Sequence, residues 1–89
     1  MRKIEKQMVE AVNFGIPFSS GNTSVTIDAN TAHVFLHGNH IASVTYGTPI
    51  VNIDTLRAYP TPTTKSRLRA LGVDVTTKQG ITYLNGEEV

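Results

Sequence analysis

The spacing of the apolar residues changes once along this chain, and that change limits the folds it can adopt. Up to residue 13 apolar residues recur every three to four positions, as on one face of a helix. From residue 23 they alternate at every second position, as on one face of a sheet. Because no linker separates the two patterns, the 89 residues are predicted to form one α+β domain over 1–89, on one mainly antiparallel sheet.

The first helix is predicted over residues 2 to 13. Its apolar stripe consists of Ile4, Met8, Ala11 and Val12, and the charged residues are expected to lie outside that stripe. Phe14-Gly15 and then Ile16-Pro17 end the helix. Residues 18 to 22 follow as a predicted loop, with Phe18 as an apolar plug.

A four-stranded antiparallel meander is predicted next, over residues 23–28, 31–37, 40–46 and 50–53. Ala29-Asn30 and Gly38-Asn39 are its turn signals, the second as a type II′ turn with glycine at the position of positive φ. This register predicts a core face that consists of Val25, Ile27, Ala32, Val34, Leu36 and Ile41.

The other face of the predicted sheet is half apolar. It carries Ser24, Thr26, His33, Phe35, Ala42, Val44 and Tyr46. Such a face is neither an ordinary wet surface nor an ordinary core. We therefore expect a helix, a ligand or a second copy of the chain to cover it, and the last case predicts a homo-oligomer.

A second helix is predicted between Thr61 and Gly72. Thr61 can cap it, Pro62 suits its first position, and Gly72 suits the left-handed residue after its end. Thr64, Leu68 and Leu71 share one face that can dock. Residues 73–77 and 81–84 then predict a C-terminal β-hairpin, so the predicted order is helix, four-stranded meander, helix, hairpin.

Several classes of function are disfavoured by what the chain lacks. It contains no cysteine, its formal net charge is +1, and no apolar run approaches the roughly 20 residues of a membrane span. It has no nucleophile elbow, HExxH or P-loop pattern, so no enzyme, cofactor or catalytic residue is predicted. His37 and His40 flank a turn but have no nearby third ligand, so no metal site is predicted.

Two segments could hold a ligand. Lysine in the first turns of the second helix opposes the helix dipole, and a bound anion would reverse that effect. A loop of small polar residues could supply the other wall of such a pocket. The candidate anion-binding residues are Ser20, Gly21, Asn22, Thr23, Thr63, Thr64, Lys65, Arg67 and Arg69. The alternative is a solvated helix whose basic residues pair with Asp54, Asp74 or the acidic C-terminal tail.

Four short motifs resemble those of a group of small uncharacterised proteins of tailed bacteriophages and prophages. They are Ser20-Gly21-Asn22-Thr23, Leu36 to Ala42 (LHGNHIA), Thr63 to Leu71 (TTKSRLRAL) and Tyr83-Leu84-Asn85-Gly86. The resemblance covers about residues 18 to 86 and departs from the pattern at Arg69 and Ile81. It implies a phage protein in the cytoplasm of an infected bacterium, and no particular activity.

The composition and the resemblance together predict a non-enzymatic phage accessory protein. It would bind, and by binding could inhibit, a host or phage macromolecule, most simply a protein, in host takeover or anti-defence. The alternative is a binder of a small ligand, a nucleotide or phosphate, that acts as a sponge for a defence signal. Nucleic acid is a weaker candidate because the net charge is near zero and no aromatic residues are interleaved with the basic ones. A membrane partner is not expected.

Overall fold

Three helices and eight strands build the protein, and the computed structural model describes residues 1–89. In chain order they are α1 (Lys3–Phe14), β1 (Phe18–Ser20), β2 (Thr23–Asp28), β3 (Thr31–Leu36), β4 (Asn39–Thr45), β5 (Thr48–Val51), α2 (Ile53–Ala58), α3 (Pro62–Ala70), β6 (Val75–Lys78), β7 (Ile81–Leu84) and β8 (Glu87–Glu88). Every strand pair is antiparallel. The predicted α+β class is therefore confirmed.

The strands form two sheets, which corrects the prediction of a single sheet. The first has the order β1-β2-β3-β4-β5 and the second the order β6-β7-β8. The segment predicted as a loop supplies an extra edge strand, β1, in which Ser20 pairs with Thr23. The acidic tail supplies β8. Val75 of β6 is buried in the core beside α3. The second sheet is thus attached to the core by side-chain packing and not by strand pairing with the first sheet.

The core lies between one face of the first sheet and the helices. Its fully buried apolar residues are Met8, Ala11, Val25, Ala32, Val34, Leu36, Ile41, Ala42, Val44, Leu56, Leu68 and Val75. The predicted core face is confirmed for five of its six residues, and Ile27 is half-buried. Phe18 packs against this core from β1, as its predicted role as an apolar plug requires.

The hairpin between β3 and β4 turns one residue earlier than predicted. The turn residues are His37 and Gly38, with φ of 52° and 78°. Two consecutive positive φ values are typical of a type I′ turn, in which glycine takes the second position and not the first. Leu36 therefore pairs with Asn39, not Ile41. Between Phe35 and Val34 the pairing then shifts by one residue, so that Val34 pairs with Ala42.

This shift corrects the composition of the second sheet face. Ala42 pairs with Val34, and Val44 pairs with Ala32, so both residues of β4 point into the core. The second face is mainly polar. From the two central strands it carries His33, Phe35, His40 and Ser43. The prediction of a half-apolar face was wrong, because one extra residue in a strand moves the following side chains to the other side of the sheet.

A short helix, α2, begins at Ile53, the last residue of the predicted fourth strand, and otherwise occupies residues for which no element was predicted. Asn52 caps it by accepting a hydrogen bond from the Thr55 amide at 3.2 Å. Leu56 anchors it in the core. A helix of six residues has too few turns to show a clear apolar period, so the sequence does not predict it.

Helix α3 begins and ends where its signals predicted. The Thr61 hydroxyl accepts a hydrogen bond from the Thr64 amide at 3.2 Å, and Pro62 is the first helical residue. At the other end the amide of Val73 donates to the carbonyl of Leu68, and Gly72 has φ of 92°. These contacts form a Schellman end, in which only glycine adopts the left-handed conformation without steric cost.

Candidate functional site

A buried ion pair joins α3 to α1 and to the turn between β1 and β2. The Arg67 Nη1 atom lies 2.8 Å from Glu5 Oε2, and the two side chains are only 3% and 4% exposed. The Nε atom of Arg67 donates to the Thr23 hydroxyl at 3.0 Å, and Nη2 donates to Asn22 Oδ1 at 3.4 Å. The Ser66 hydroxyl donates to Glu5 Oε2 at 2.5 Å. We call these five residues the Glu5–Arg67 network.

The network keeps Glu5 ionised although the residue is buried. Burial disfavours the charged form and by itself would raise the pKa. Hydrogen bonds from Ser66, from Arg67 and from the Arg2 amide outweigh it, together with the charge of Arg67, so the pKa lies below its ordinary value of 4.5. Since the folded pKa is the lower one, this stabilisation is present above about pH 4.5 and is lost as the pH falls through the folded pKa.

The two other basic residues of α3 are also in contact with the protein itself. Lys65 is 6% exposed, and its ammonium donates to the Thr77 hydroxyl on β6. Arg69 donates from Nε to the carbonyl of Val75 at 2.8 Å. No buried side-chain nitrogen or oxygen lacks a hydrogen-bond partner. The basic side chains of α3 thus point toward the core network and the second sheet and not into a common pocket.

The predicted ligand residues are brought together only in part. Asn22 and Thr23 meet α3, but they meet it through Arg67, within the Glu5–Arg67 network. Ser20 and Gly21 are exposed in β1 and the following turn. The alternative partners of the α3 cations were Asp54, Asp74 and the acidic tail. None of them forms a salt bridge, since the only salt bridge joins Arg67 to Glu5.

Glu5 was missed because it was counted among the solvated charges of α1. Its position has two signals that could have identified it. It lies three residues before Met8, on the same side of a helix, and it occupies the third helical position, from which it accepts a hydrogen bond from the Arg2 amide at 3.2 Å. The expectation that charged residues avoid the buried stripe of α1 was therefore wrong.

The start of α3 borders a cleft of about 400 Å³, which we call the threonine cleft. Thr63 and Thr64 line it, but its opposite wall is the β3–β4 hairpin and not the Ser20–Thr23 turn. The lining residues are Leu36, His37, Asn39, Ile41, Thr55, Tyr59, Thr61, Thr63 and Thr64. The backbone amide of Thr64 is already bonded to Thr61. The polar groups that line the threonine cleft are therefore hydroxyl groups, the side-chain amide of Asn39 and the imidazole of His37.

A second cleft of about 420 Å³ lies at the C-terminal end of α1, and we call it the aromatic cleft. Two strongly exposed aromatic side chains border it, Phe14 at 76% and Tyr46 at 82%. Its lining residues are Val12, Asn13, Phe14, Gly15, Ile27, Ala29, Asn30, Thr31, Ala32, Val44, Tyr46 and Gly47. None of them is charged. The Asn30 amide donates to the Tyr46 hydroxyl at 2.7 Å, which links the two hairpin turns across the cleft.

A chain of hydrogen bonds crosses the second face of the first sheet. Asn52 uses Oδ1 to cap α2, so its Nδ2 group donates to His40 Nδ1 at 3.1 Å. Neutral His40 then carries its hydrogen on Nε2, which donates to the Ser43 hydroxyl at 2.8 Å. His33 Nδ1 lies 2.8 Å from the same hydroxyl.

Burial lowers the pKa of His40 below its ordinary value of 6.5, and the nearby charge of His33 lowers it further. A hydrogen bond to the Ala42 backbone acts in the opposite direction but is the weaker effect. The histidine neighbour of His40 is thus His33, at 5.7 Å between ring centres, and not His37 as the turn suggested. Because His40 Nε2 holds a hydrogen in this arrangement, it has no lone pair to offer a metal ion.

The protein therefore presents an α+β fold with an internally paired basic helix and two open clefts. Over residues 1–89 the chain matches the family described as Kyanoviridae Gp96 protein, and it belongs to that family of phage proteins. This match confirms the phage origin that the four motifs implied. No curated protein and no solved structure shows significant similarity to it. None of its helices has the length and apolar character needed to cross a membrane.

Removing one partner of the buried ion pair should strongly destabilise the fold. Arg67→Met leaves the Glu5 carboxylate buried without its cation, which costs about 3–5 kcal/mol. Glu5→Met with Arg67→Met should recover part of that loss, because no buried charge remains. Urea denaturation at pH 7 measures both effects. Arg57→Met, at an exposed position, is the control and should change stability by about 0.5 kcal/mol or less. A cost below 1 kcal/mol for Arg67→Met would contradict the assignment.

Acid should weaken the fold through His40 before it does so through Glu5. Since the unfolded chain binds a proton at His40 more readily, stability is highest above about pH 6.5 and falls as the pH drops through the lower folded pKa. Urea denaturation at pH 7.5 and pH 5.5 should show this loss, and His40→Gln should reduce it. His37→Gln, at the exposed turn, should retain it. Equal pH dependence in His40→Gln and the unaltered protein would assign the effect to another group.

Proposed function

We propose that this phage protein is a non-enzymatic accessory factor that binds a host or phage protein through the aromatic cleft. The single observation that carries the proposal is the pair of exposed aromatic side chains, Phe14 and Tyr46, beside a cleft without charged lining. Exposed aromatic residues at the rim of an uncharged depression are typical anchors of protein interfaces. Inhibition of the bound protein is one way in which such a factor would act.

The aromatic cleft suits a partner better than the two surfaces that the sequence favoured, which are the basic side of α3 and the second face of the first sheet. The α3 cations donate to groups within the protein, so they leave less charge for a partner. The second sheet face loses Ala42 and Val44 to the core, so it offers less apolar area for a second copy of the chain.

The proposal is tested by affinity purification from lysate of the infected host, with mass spectrometry of the proteins recovered. The Phe14→Ser, Tyr46→Ser double variant should lose at least one partner that the unaltered protein retains. Two aromatic anchors at about 2 kcal/mol each predict a loss of affinity of roughly 700-fold. Ile50→Ser is the matched control, because Ile50 is 66% exposed and lies outside the cleft. A partner set that is unchanged in the double variant would contradict the proposal.

A second candidate function is supported by the threonine cleft. Its hydroxyl groups, the His37 imidazole and the Asn39 amide stand at the start of a helix that has no acidic residue in its first turn. Such a site would suit a phosphate or a nucleotide, as a sponge for a defence signal requires. Lys65, which was expected to assist, donates instead to Thr77, so the site would rely on neutral donors and the helix dipole.

A thermal-shift panel of nucleotides, cyclic dinucleotides and inorganic phosphate tests this second function. A ligand at one hundred times its dissociation constant should stabilise the protein by about 2.7 kcal/mol. Thr63→Val should abolish that stabilisation, and Thr48→Val, at an exposed threonine of β5, should preserve it. If no ligand of the panel raises the melting temperature, the small-ligand function is wrong.

A further inference from the structure

The positive charges of the chain are absent from the segment that builds most of the aromatic cleft. All eight lysine and arginine residues lie in residues 2–6 and 57–78, and residues 7–56 contain none. That cation-free run includes the end of α1, all five strands of the first sheet, and every residue that lines the cleft. A positively charged partner therefore meets no repelling lysine or arginine from the walls of this cleft.

Two carboxylates and a helix end give this region a negative potential. Glu10 is exposed one helical turn before Asn13 and Phe14, and Asp28 is exposed directly before Ala29, which lines the cleft. Helix α1 ends at the cleft and has no basic residue in its last turn. Its carbonyl end carries about half a negative charge that no side chain of that turn offsets.

Two cations at the start of α1, Arg2 and Lys3, are too distant to cancel this potential. The helix has 12 residues, so its two ends are about 18 Å apart. The Debye length at physiological ionic strength is about 8 Å, so these two charges are screened from the cleft. Lys6 lies one helical turn before Glu10 and offsets part of its charge, whereas Asp28 lies inside the run without cations.

We propose that the aromatic cleft takes an apolar segment of a partner protein in which a lysine or arginine stands beside the anchoring side chain. This inference rests on the proposed function and adds the chemistry of the partner to it. The apolar part of the lining receives the anchor, and Glu10 and Asp28, which neighbour lining residues in the sequence, receive the cation. An acidic segment or a nucleic acid would meet negative charge without a compensating cation.

The partner chemistry is tested by selecting a displayed library of random peptides on the full-length protein. The Phe14→Ser, Tyr46→Ser variant serves as the counter-selection, so that only peptides bound at the cleft are kept. Retained peptides should contain an aromatic or large aliphatic residue within a few positions of lysine or arginine. If peptides are retained but show no excess of basic residues, the inference is wrong while the proposed function stands. If no peptide depends on Phe14 and Tyr46, the proposed function fails with it.

The electrostatic part is measured with one retained peptide and the Glu10→Gln, Asp28→Asn variant. Loss of two exposed ion pairs should weaken binding about three- to tenfold at 50 mM salt and less at 300 mM salt. Asp54→Asn removes an exposed carboxylate of α2, outside the cleft, and should leave binding unchanged. Equal affinity of the double variant and the unaltered protein at both salt concentrations would overturn the proposed role of the carboxylates.

A second copy of the chain is the competing occupant, because the basic start of α1 could meet the acidic cleft of a neighbour. In that case sedimentation velocity should show concentration-dependent oligomers, and Phe14→Ser with Tyr46→Ser should convert them to monomers. If oligomers of this kind are found and no peptides are retained, the cleft binds a second copy of the chain and not a segment of a partner protein. A monomer at all concentrations, with basic peptides retained, is the expected result.

Discussion

The buried contact between Glu5 and Arg67 is the interaction on which the arrangement of this protein depends. It is the one salt bridge in the structure, and it connects three parts of the chain: the first turn of α1, the middle of α3 and the β1–β2 turn. The hydrophobic core would by itself hold these elements near one another, through the burial of their apolar side chains. Apolar burial has little directional preference, whereas a guanidinium held by three acceptors fixes both rotation and position.

Such a network contributes more to the choice of one structure than to stability. Moving two charges out of water costs several kcal/mol for each ion, and their mutual attraction offsets that cost only when the remaining polar atoms are also satisfied. Here they are satisfied, since Ser66 bonds to the carboxylate and Thr23 and Asn22 bond to the guanidinium. Arg67, which the sequence predicted as a ligand contact, instead joins α3 to α1 and to the β1–β2 turn.

The sequence was informative where a local signal determines local structure. Helix α3 could be placed from Thr61, Pro62 and Gly72, because capping and the left-handed end are decided by neighbouring residues. The core face of β2 and β3 followed from alternation for the same reason. The β3–β4 hairpin could not be placed, since a His-Gly type I′ turn and a Gly-Asn type II′ turn differ by one residue in the same motif. The bulge that followed then decided which side of the sheet Ala42 and Val44 occupy.

The site was less predictable than the fold, because it depends on contacts between distant residues. Nothing near Arg67 in the chain indicates that its partner is 62 positions away, and nothing near Phe14 indicates that it lines the same cleft as Tyr46. Sequence reasoning treated Phe14 as the end of a helix and Tyr46 as the end of a strand. Both descriptions are correct locally, but neither indicates that the two residues border one cleft.

The separation of Glu5 and Arg67 along the chain also orders the way in which the protein can assemble. Contacts between residues so far apart require closure of a long loop before they contribute any free energy, whereas the hairpins of the first sheet close only short ones. During synthesis, α1 emerges from the ribosome first and yet cannot complete its contacts until α3 has followed it. The meander can thus form early, and α1 can pack on β1 and β2 before α3 is synthesised. Only the contact between Glu5 and Arg67 has to wait for α3.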